Sequence, residues 1–274
     1  MSTAYINGRY LPFTDAALPL DDPGFVWGAV ITDRCRTFRG EPFQLGEHVA
    51  RFRRSCSRAF VPLTATDDEL RGIASDLVRR DYSGDDLSVV FLATPGPTLI
   101  VHTVPVPAER LVRLWTQGAT LHTRGASAGV GPDIKHRSRL GWWIASRQVQ
   151  TTDANAEPLF VDARDCVLET PSANLVAVID GQLTTAPRSY VLHGISLQNT
   201  HLLANDLGLT FMETPISPQD VRSASEVFLT NSTFCIAPVA RIDDCSFPTA
   251  GPVLTQLQAA WTRLVGVQIG RPAS

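Results

Sequence analysis

Residues 169–187, ETPSANLVAVIDGQLTTAP, place a short polar loop between two apolar strands. Glu169 ends the first strand, and Ser172 and Asn174 lie in the loop before apolar residues resume. Small polar residues at a strand–loop–strand junction often form a ligand-facing loop. An exposed turn with a surface glutamate would have the same sequence, so a ligand-facing loop and an exposed turn both stay open until the rest of the chain is considered.

The composition argues against several classes of protein. Of 274 residues, 44% are hydrophobic and 19% are charged, and the net charge of −3 gives none of the positive field typical of nucleic-acid-binding proteins. The five cysteines include no CxxC pair, and the most apolar stretch, residues 87–106, is interrupted by Pro95, Gly96 and Pro97. The first residues lack the charged-then-apolar pattern of a signal peptide. We therefore expect no metal site, no nucleic-acid partner, no membrane span and a cytoplasmic location.

Helical and alternating patterns along the chain predict a mixed fold, α/β or α+β. Asn7-Gly8 lies between two alternating apolar stretches, the strongest short signal for a β-hairpin. Residues 45–60 have helical spacing, and residues 66–81 begin with a good helix cap, Thr66 or Asp67. The proline-rich stretch 104–112 is the best candidate for a connection, and we expect a domain of residues 1–108 and a second of residues 109–274.

Lys135 is the only lysine in a chain whose lysines and arginines number 24. It lies in GPDIKHRSRL, residues 131–140, next to a helix predicted over 137–155. A lysine amine becomes a nucleophile when burial or neighbouring cations favour its neutral form, and His136, Arg137 and Arg139 surround Lys135 with basic groups. A surface lysine on a first helical turn accounts for the position about equally well.

Two further stretches have the features of a phosphate site. LHGIS, residues 192–196, opens a helix with Gly194, Ile195 and the predicted N-cap Ser196, and free N–H groups at a helix N-terminus bind anions. TNST, residues 230–233, follows a strand, and its hydroxyl groups suit a phosphate. Each feature alone is weak, because helices commonly begin with such residues.

The order of these features resembles that of the fold-type IV, class IV aminotransferases, which use pyridoxal 5′-phosphate (PLP). GEPFQLGEHVARF, which contains Arg51, is similar to the family's Gly-x-x-Phe-x-Leu-x-x-His-x-x-Arg segment. ETPSANLVAVIDGQLTTAP resembles its Glu-x-x-x-x-Asn strand, LHGIS its Leu-x-Gly-Ile-Thr/Ser helix start, and EVFLTNSTFCIAPV its last phosphate loop. With Lys135 these ordered matches run from about Asn7 to Pro238, which makes coincidence a poor explanation.

The resemblance implies a role for each matched residue. Lys135 would form a Schiff base with the cofactor aldehyde and then carry protons, Glu169 would pair with the pyridine nitrogen, and Arg51 would clamp the phosphate. The implied cofactor ligands are Arg51, Lys135, Glu169, Asn174, Gly194, Ile195, Ser196, Asn231 and Ser232. The implied fold has a small N-terminal α/β domain and a larger, β-rich C-terminal α/β domain with the cofactor between them, and the implied assembly is a homodimer.

The resemblance also implies a reaction. An aminotransferase would move an amino group between an amino acid donor, with branched-chain amino acids among the candidates, and a 2-oxo acid. A lyase of the 4-amino-4-deoxychorismate type is the first alternative. A catalytically inactive binding relative is the second, although the joint retention of Lys135, Glu169 and Arg51 argues against it.

The predicted substrate pocket departs from the family's patterns. Thr32 stands where relatives place an aromatic residue, and Asp33 stands where they place a glutamate. His102 matches the histidine of the Arg-x-His pair of D-amino-acid enzymes, but Ile100 replaces its arginine. On a strand, Thr32, Arg34 and Arg36 share one face, so Arg34 or Arg36 is a candidate to bind a substrate carboxylate; solvent-facing arginines are the equal alternative. The candidate substrate ligands are Thr32, Arg34, His102 and Thr233.

Overall fold

The computed structural model of the chain describes residues 2–126 and 129–271. These residues form two compact units, each with its own sheet. The first unit contains the described residues up to Val106 together with Asp133–Arg139, and the second contains those of 107–132 and 140–271. The mixed α/β class predicted from the sequence is confirmed by the two sheets and eight α-helices in these ranges.

The first unit is a six-stranded sheet with helices packed on one face. Its elements are β1 (Thr3–Ile6), β2 (Arg9–Pro12), α1 (Pro23–Val26), β3 (Ile31–Phe38), β4 (Glu41–Pro42), α2 (Leu45–Arg58), α3 (Asp67–Asp81), β5 (Leu87–Ala93) and β6 (Leu99–Pro105). The strand order is β2-β1-β6-β5-β3-β4, and all neighbours are antiparallel. Apolar side chains of α2 and α3, such as Phe52 and Leu77, form one buried cluster with alternate residues of the strands, such as Phe91.

Local sequence accounts for several boundaries in this unit. Asn7 and Gly8 have positive φ angles of 42° and 94°, as the tight turn of the β1–β2 hairpin requires. Helix α3 begins with a capping box in which Thr66 and Glu69 each satisfy the other's backbone N–H. The predicted hairpin and the predicted Thr66 cap are both confirmed.

Residues 133–139 pair with the start of β3. Ile31 and His136 form an antiparallel bridge, in which Thr32 N–H donates to the carbonyl of Lys135 (3.0 Å) and Arg137 N–H donates to the carbonyl of Val30 (2.8 Å). The helix predicted from residue 137 is therefore wrong at its start. Helix α5 (Leu140–Gln150) begins after this segment, because the backbone around His136 is bound to the sheet edge.

The second unit is built on an eight-stranded mixed sheet. Its elements, besides α5, are α4 (Ala108–Gln117), β7 (Ala119–Gly125), β8 (Glu157–Val161), β9 (Asn174–Ile179), β10 (Gln182–Thr185), α6 (Ile195–Asp206), β11 (Phe211–Glu213), α7 (Pro218–Arg222), β12 (Glu226–Asn231), β13 (Cys235–Ile242), β14 (Cys245–Ser246) and α8 (Pro252–Val265). The strand order is β11-β10-β9-β12-β13-β7-β8, with β14 paired to β13. The central strands β9 and β12 are buried along almost their whole length, as their apolar runs require.

The structure corrects the predicted N-cap of α6 and delimits the predicted connection between the two units. The N-cap of α6 is Gly194 rather than Ser196, and no side chain caps this helix within the described chain. The predicted connection at 104–112 contains the boundary between the two units, which falls after Val106, and it is short because β6 runs to Pro105 and α4 begins at Ala108. Proline is tolerated at the last position of a strand and at the position before a helix, so Pro105 and Pro107 are compatible with this short connection.

Candidate active site

A buried group of three charged or polar side chains lies between β3 and α2 in the first unit. Asp33 is fully buried, and its carboxylate accepts two hydrogen bonds from Arg51, from Nε at 2.7 Å and from Nη2 at 2.8 Å. Nδ1 of His48 lies 2.7 Å from the same carboxylate. Because an ionised carboxylate only accepts, the His48 Nδ1 carries the proton of this bond. The guanidinium of Arg51 is thereby fixed in orientation.

Opposing effects set the pKa values in this group. Burial alone would raise the pKa of Asp33, but the charge of Arg51 and the hydrogen bonds from Arg51 and His48 outweigh it and hold that pKa well below the usual value. Burial lowers the pKa of His48, although Asp33 opposes the shift. Asp33 and Arg51 therefore form an ion pair at neutral pH, while His48 is a neutral donor.

Lys135 lies at the edge of the first sheet, where its N–H donates to Oγ of Ser55 in α2 (3.1 Å). Successive residues of a strand alternate between faces, so Asp33 on the helix side places Thr32 and Arg34 on the other side. The bridge between Ile31 and His136 sets Lys135 beside Thr32, and directly opposed residues of a β-pair share a face. Ile134 confirms the alternation, because it packs into the helix-side core with Ile31.

The same face carries two more of the predicted substrate ligands. Arg34 is paired with Val90, and Val90 with His102, so these three residues form one row across β3, β5 and β6. Thr32 is almost fully buried, whereas Arg34 and His102 are partly exposed. Arg36, the other arginine on this face, stacks on Phe38 and lies 3.8 Å from the carboxylate of Asp86. The structure thus brings Thr32, Arg34, His102 and Lys135 to one face of the first unit.

Glu169 and Asn174 form a fixed pair in the second unit. Nδ2 of Asn174 donates to Glu169 Oε2 (3.0 Å) and to the carbonyl of Leu192 (2.9 Å), and the N–H of Leu192 donates to Glu169 Oε1 (3.1 Å). The loop predicted from residues 169–174 is therefore ordered around a carboxylate whose orientation is set by two donors.

The start of α6 lies against this pair. A Cβ added to Gly194 would overlap Oδ1 of Asn174, so the position accepts only glycine without rearrangement. Ile195 and Ser196 are almost fully buried, and helix geometry leaves their N–H groups without an intrahelical acceptor. A buried helix start without a side-chain cap is suited to an acceptor supplied by a ligand.

The loop after β12 adjoins the Glu169 loop. Oδ1 of Asn231 accepts from the N–H groups of Thr233 (2.8 Å) and Phe234 (3.0 Å), and its Nδ2 donates to the carbonyl of Ser172 (3.3 Å). Asn231 therefore shapes the turn that carries Ser232 and Thr233. Thr230 is paired with Asn174 across β12 and β9, and its buried Oγ1 has no hydrogen-bond partner among the described residues.

The predicted residues thus form two groups, one in each unit. Arg51, Lys135, Thr32, Arg34 and His102 belong to the first, and Glu169, Asn174, Gly194–Ser196 and the Asn231 loop belong to the second. Thr230 lies in the 230–233 stretch predicted from the sequence to suit a phosphate, whereas the Asp33–Arg51–His48 group was not predicted. The i, i+3 spacing of His48 and Arg51 on one helix face could have indicated a shared partner.

A metal cluster and a membrane-spanning helix are both absent from the described residues. No group of three or more histidine, cysteine or acidic side chains in 2–126 and 129–271 is arranged to hold a metal ion. No helix in these ranges is both long and apolar enough to cross a lipid bilayer.

Comparison with known proteins adds an independent finding. The profile of the amino-transferase class IV family matches residues 31–242. D-alanine aminotransferase of Staphylococcus haemolyticus is 25% identical over 280 residues, covering 97% of this chain and 98% of that protein. D-alanine aminotransferase of Bacillus licheniformis is 26% identical over 268 residues, covering 93% and 94%.

Solved structures share the fold. The putative branched-chain amino acid aminotransferase of Thermotoga maritima superposes with a TM-score of 0.86 at 19% identity and covers 96% of each chain. The Escherichia coli branched-chain amino acid aminotransferase gives a TM-score of 0.84 at 22% identity, covering 99% of this chain and 96% of that one. A T.th. branched-chain amino acid aminotransferase, solved in complex with N-(5′-phosphopyridoxyl)-L-glutamate, gives 0.83 at 22% identity and covers 96% and 94%.

Proposed function

The chain belongs to the class IV aminotransferase family, and we propose that Lys135 carries its pyridoxal 5′-phosphate. As a member of that family it moves an amino group between an amino acid and a 2-oxo acid. The observation that carries the cofactor proposal is the position of Lys135, the only lysine, on the face of the first sheet that also bears Thr32, Arg34 and His102. The lyase alternative is not favoured, since the relatives found by comparison are aminotransferases.

The second unit has groups that fit the cofactor's phosphate and ring. The N–H groups of Ile195 and Ser196, at a buried helix start, suit phosphate oxygens, and Ser232 adds a hydroxyl. The unpartnered Oγ1 of Thr230 beside Asn174 is a further polar atom, without a partner in the described chain, that a ligand would satisfy. Glu169, held by Asn174 and Leu192, suits the pyridine nitrogen. The order of these motifs along the chain supports the proposal that they bind the same cofactor as Lys135 and Arg51.

When bound, pyridoxal 5′-phosphate supplies an aldehyde for covalent attachment and a ring that accepts electrons from the substrate Cα. Nζ of Lys135 would hold the cofactor through its aldehyde and, as a free amine, would take the proton from the substrate Cα and deliver it to the cofactor carbon that bears the amino nitrogen. Arginine cannot replace it, because its guanidinium stays protonated. Glu169 would keep a proton on the pyridine nitrogen, and Arg51, whose guanidinium is held by Asp33, would present a fixed positive charge to the phosphate.

The donor, the location and the assembly are part of the proposal. Relatives found by sequence include D-alanine aminotransferases, and structural neighbours include branched-chain aminotransferases, so we propose an α-amino acid donor of either class. We propose a cytoplasmic homodimer. Large apolar side chains exposed on the first unit, Leu20 (77%), Phe25 (63%) and Trp27 (80%), support the dimer because monomers seldom expose such neighbours together.

A half-reaction tests the proposed function. The purified chain, loaded with PLP, is mixed separately with D-alanine, L-leucine, L-isoleucine and 4-amino-4-deoxychorismate, and the cofactor's visible absorbance is followed. Transamination predicts that at least one amino acid removes the visible band and that a 2-oxo acid restores it. Turnover of 4-amino-4-deoxychorismate alone, with no band change from any amino acid, would instead support the lyase. Size-exclusion chromatography with light-scattering detection in the same buffer measures the mass in solution and so checks the dimer.

A further inference from the structure

We propose that Arg34 and Arg137 together bind the carboxylate of the substrate on the lysine-bearing face of the first sheet. This inference rests on the proposed role of Lys135. The sequence makes Arg34 one of several candidates, whereas it places Arg137 only in the first turn of a predicted helix. The observed pairing of 133–139 with β3 changes the position of Arg137 completely.

Strand register places the two arginines on one side. Arg137 N–H donates to the carbonyl of Val30, so Arg137 is opposed to Val30 just as Lys135 is opposed to Thr32. Val30, Thr32 and Arg34 are alternate residues, and alternate residues share a face. Arg137, Lys135 and Arg34 therefore surround Thr32 on the same side of the sheet.

The two guanidinium groups have no carboxylate partner in the part of the chain that the structure describes. Neither Arg34 nor Arg137 forms an ion pair with a carboxylate of these residues. Nε of Arg34 is buried and has no hydrogen-bond partner there. Burial and the charge of Arg137 lower the pKa of Arg34, as expected for two cations that face each other.

His102 completes the row without adding charge. Burial lowers the pKa of His102, and the charges of Arg137 and Arg34 lower it further. The imidazole is thus neutral near pH 7, and the positive charge of this row comes from the two guanidinium groups. A buried, unbonded guanidinium nitrogen costs free energy unless a ligand satisfies it.

A carboxylate is the anion that fits this arrangement in an aminotransferase. Guanidinium groups bind carboxylates through paired N–H donors, and every amino acid and 2-oxo acid brings one carboxylate next to its reacting carbon. Arg34 supplies a partly buried donor and Arg137 an exposed one, so the substrate carboxylate is held beside Lys135. The pair then distinguishes α-amino acids from amines without a carboxylate.

The test compares substrates that differ only in the carboxylate. Arg34→Met, Arg137→Met and Arg137→Gln remove charge while keeping length or polarity, and Arg79→Met, an exposed arginine of α3, is the matched control. The pyridoxamine form of each variant is mixed with pyruvate or with acetaldehyde, both achiral. We expect the Arg34 and Arg137 variants to lose at least about tenfold in kcat/KM for pyruvate, mainly through KM, with acetaldehyde changed less than about threefold.

A binding measurement keeps the inference independent of turnover. Calorimetric titration with propionate should show binding to the full-length wild type and to Arg79→Met, weakened at least about tenfold in the Arg34 and Arg137 variants. Equal propionate affinity in all variants, no propionate binding to the wild type, or unchanged pyruvate kinetics would overturn the inference. Failure of the proposed function is distinct, since it would appear as no attachment of PLP to wild-type Lys135.

Discussion

Asp33 and Arg34 are neighbours on β3, yet their side chains enter opposite electrostatic surroundings. Asp33 faces α2, where Arg51 and His48 satisfy its carboxylate with three short contacts. Arg34 faces the other side, where its Nε is buried unbonded among the described residues and the charge acting on it comes from Arg137, another cation. A charge that is compensated within the fold contributes to structure, whereas an uncompensated one is available to a ligand at some cost in stability.

Breaking the buried ion pair between Asp33 and Arg51 should have the largest effect on stability. Asp33→Asn leaves the Arg51 guanidinium buried beside a neutral amide, and removing one partner of a buried ion pair costs about 3–5 kcal/mol. Urea unfolding of the full chain measures this loss. The control is Asp68→Asn, an exposed partner of Arg71, with an expected loss of about 0–1 kcal/mol. Equal losses for the two variants would show that the Asp33 group is not the structural contact described.

In the second unit, the close approach of Gly194 to Asn174 can be broken by a single methyl group. Gly194→Ala places a methyl group against Oδ1 of Asn174 and so disturbs the pair that holds Glu169. Overpacking of this kind costs about 1–3 kcal/mol, and we also expect weaker PLP binding. Gly125→Ala, where an added Cβ meets no atom within 4 Å, is the matched control. Wild-type stability and PLP affinity in the Gly194→Ala variant would contradict the close approach.

The neutral His48 makes the compensated side sensitive to acid. Its folded-state pKa is lowered by burial, so the unfolded chain binds the proton first as pH falls. The stability it contributes is complete above the unfolded histidine pKa and is lost as pH falls towards the folded pKa, by at most about 1.4 kcal/mol per pH unit. His48→Gln should flatten this part of the stability–pH profile measured by chemical denaturation. An unchanged slope would mean that His48 titrates normally.

Removing the charge of Arg34, which faces the other side of β3, should have the smallest effect on stability. Arg34→Met removes a charge that no described carboxylate balances, so we expect the free energy of unfolding to stay within about 0.5 kcal/mol or to rise by up to about 1 kcal/mol. Arg51→Met, the corresponding change on the helix side, should lower the free energy of unfolding, because it leaves the buried Asp33 without its ion-pair partner. If Arg34→Met were the more destabilising of the two, Arg34 would be a structural residue and the contrast would be reversed.

Features that depend on neighbouring residues or on the order of motifs could be predicted from the sequence. The Asn7-Gly8 hairpin and the Thr66 cap were predictable because their chemistry is local in the chain. The start of α5 was not, since the Ile31–His136 bridge joins segments far apart in sequence. For the same reason Asp33 could be compared with a family glutamate but not assigned to Arg51 and His48, and Arg137 could not be placed beside Arg34.

The role of Lys135 is tested most directly by chemical trapping. The full-length chain is incubated with PLP, reduced with borohydride, digested and analysed by mass spectrometry, with Lys135→Arg as the control that keeps the charge. Because Lys135 is the only lysine, the N-terminal amine is the sole competing amino group. We predict one phosphopyridoxyl group per chain on the peptide containing Lys135 and none at that position in the variant. A label confined to the N-terminal amine, or no label with PLP in excess, would contradict the account.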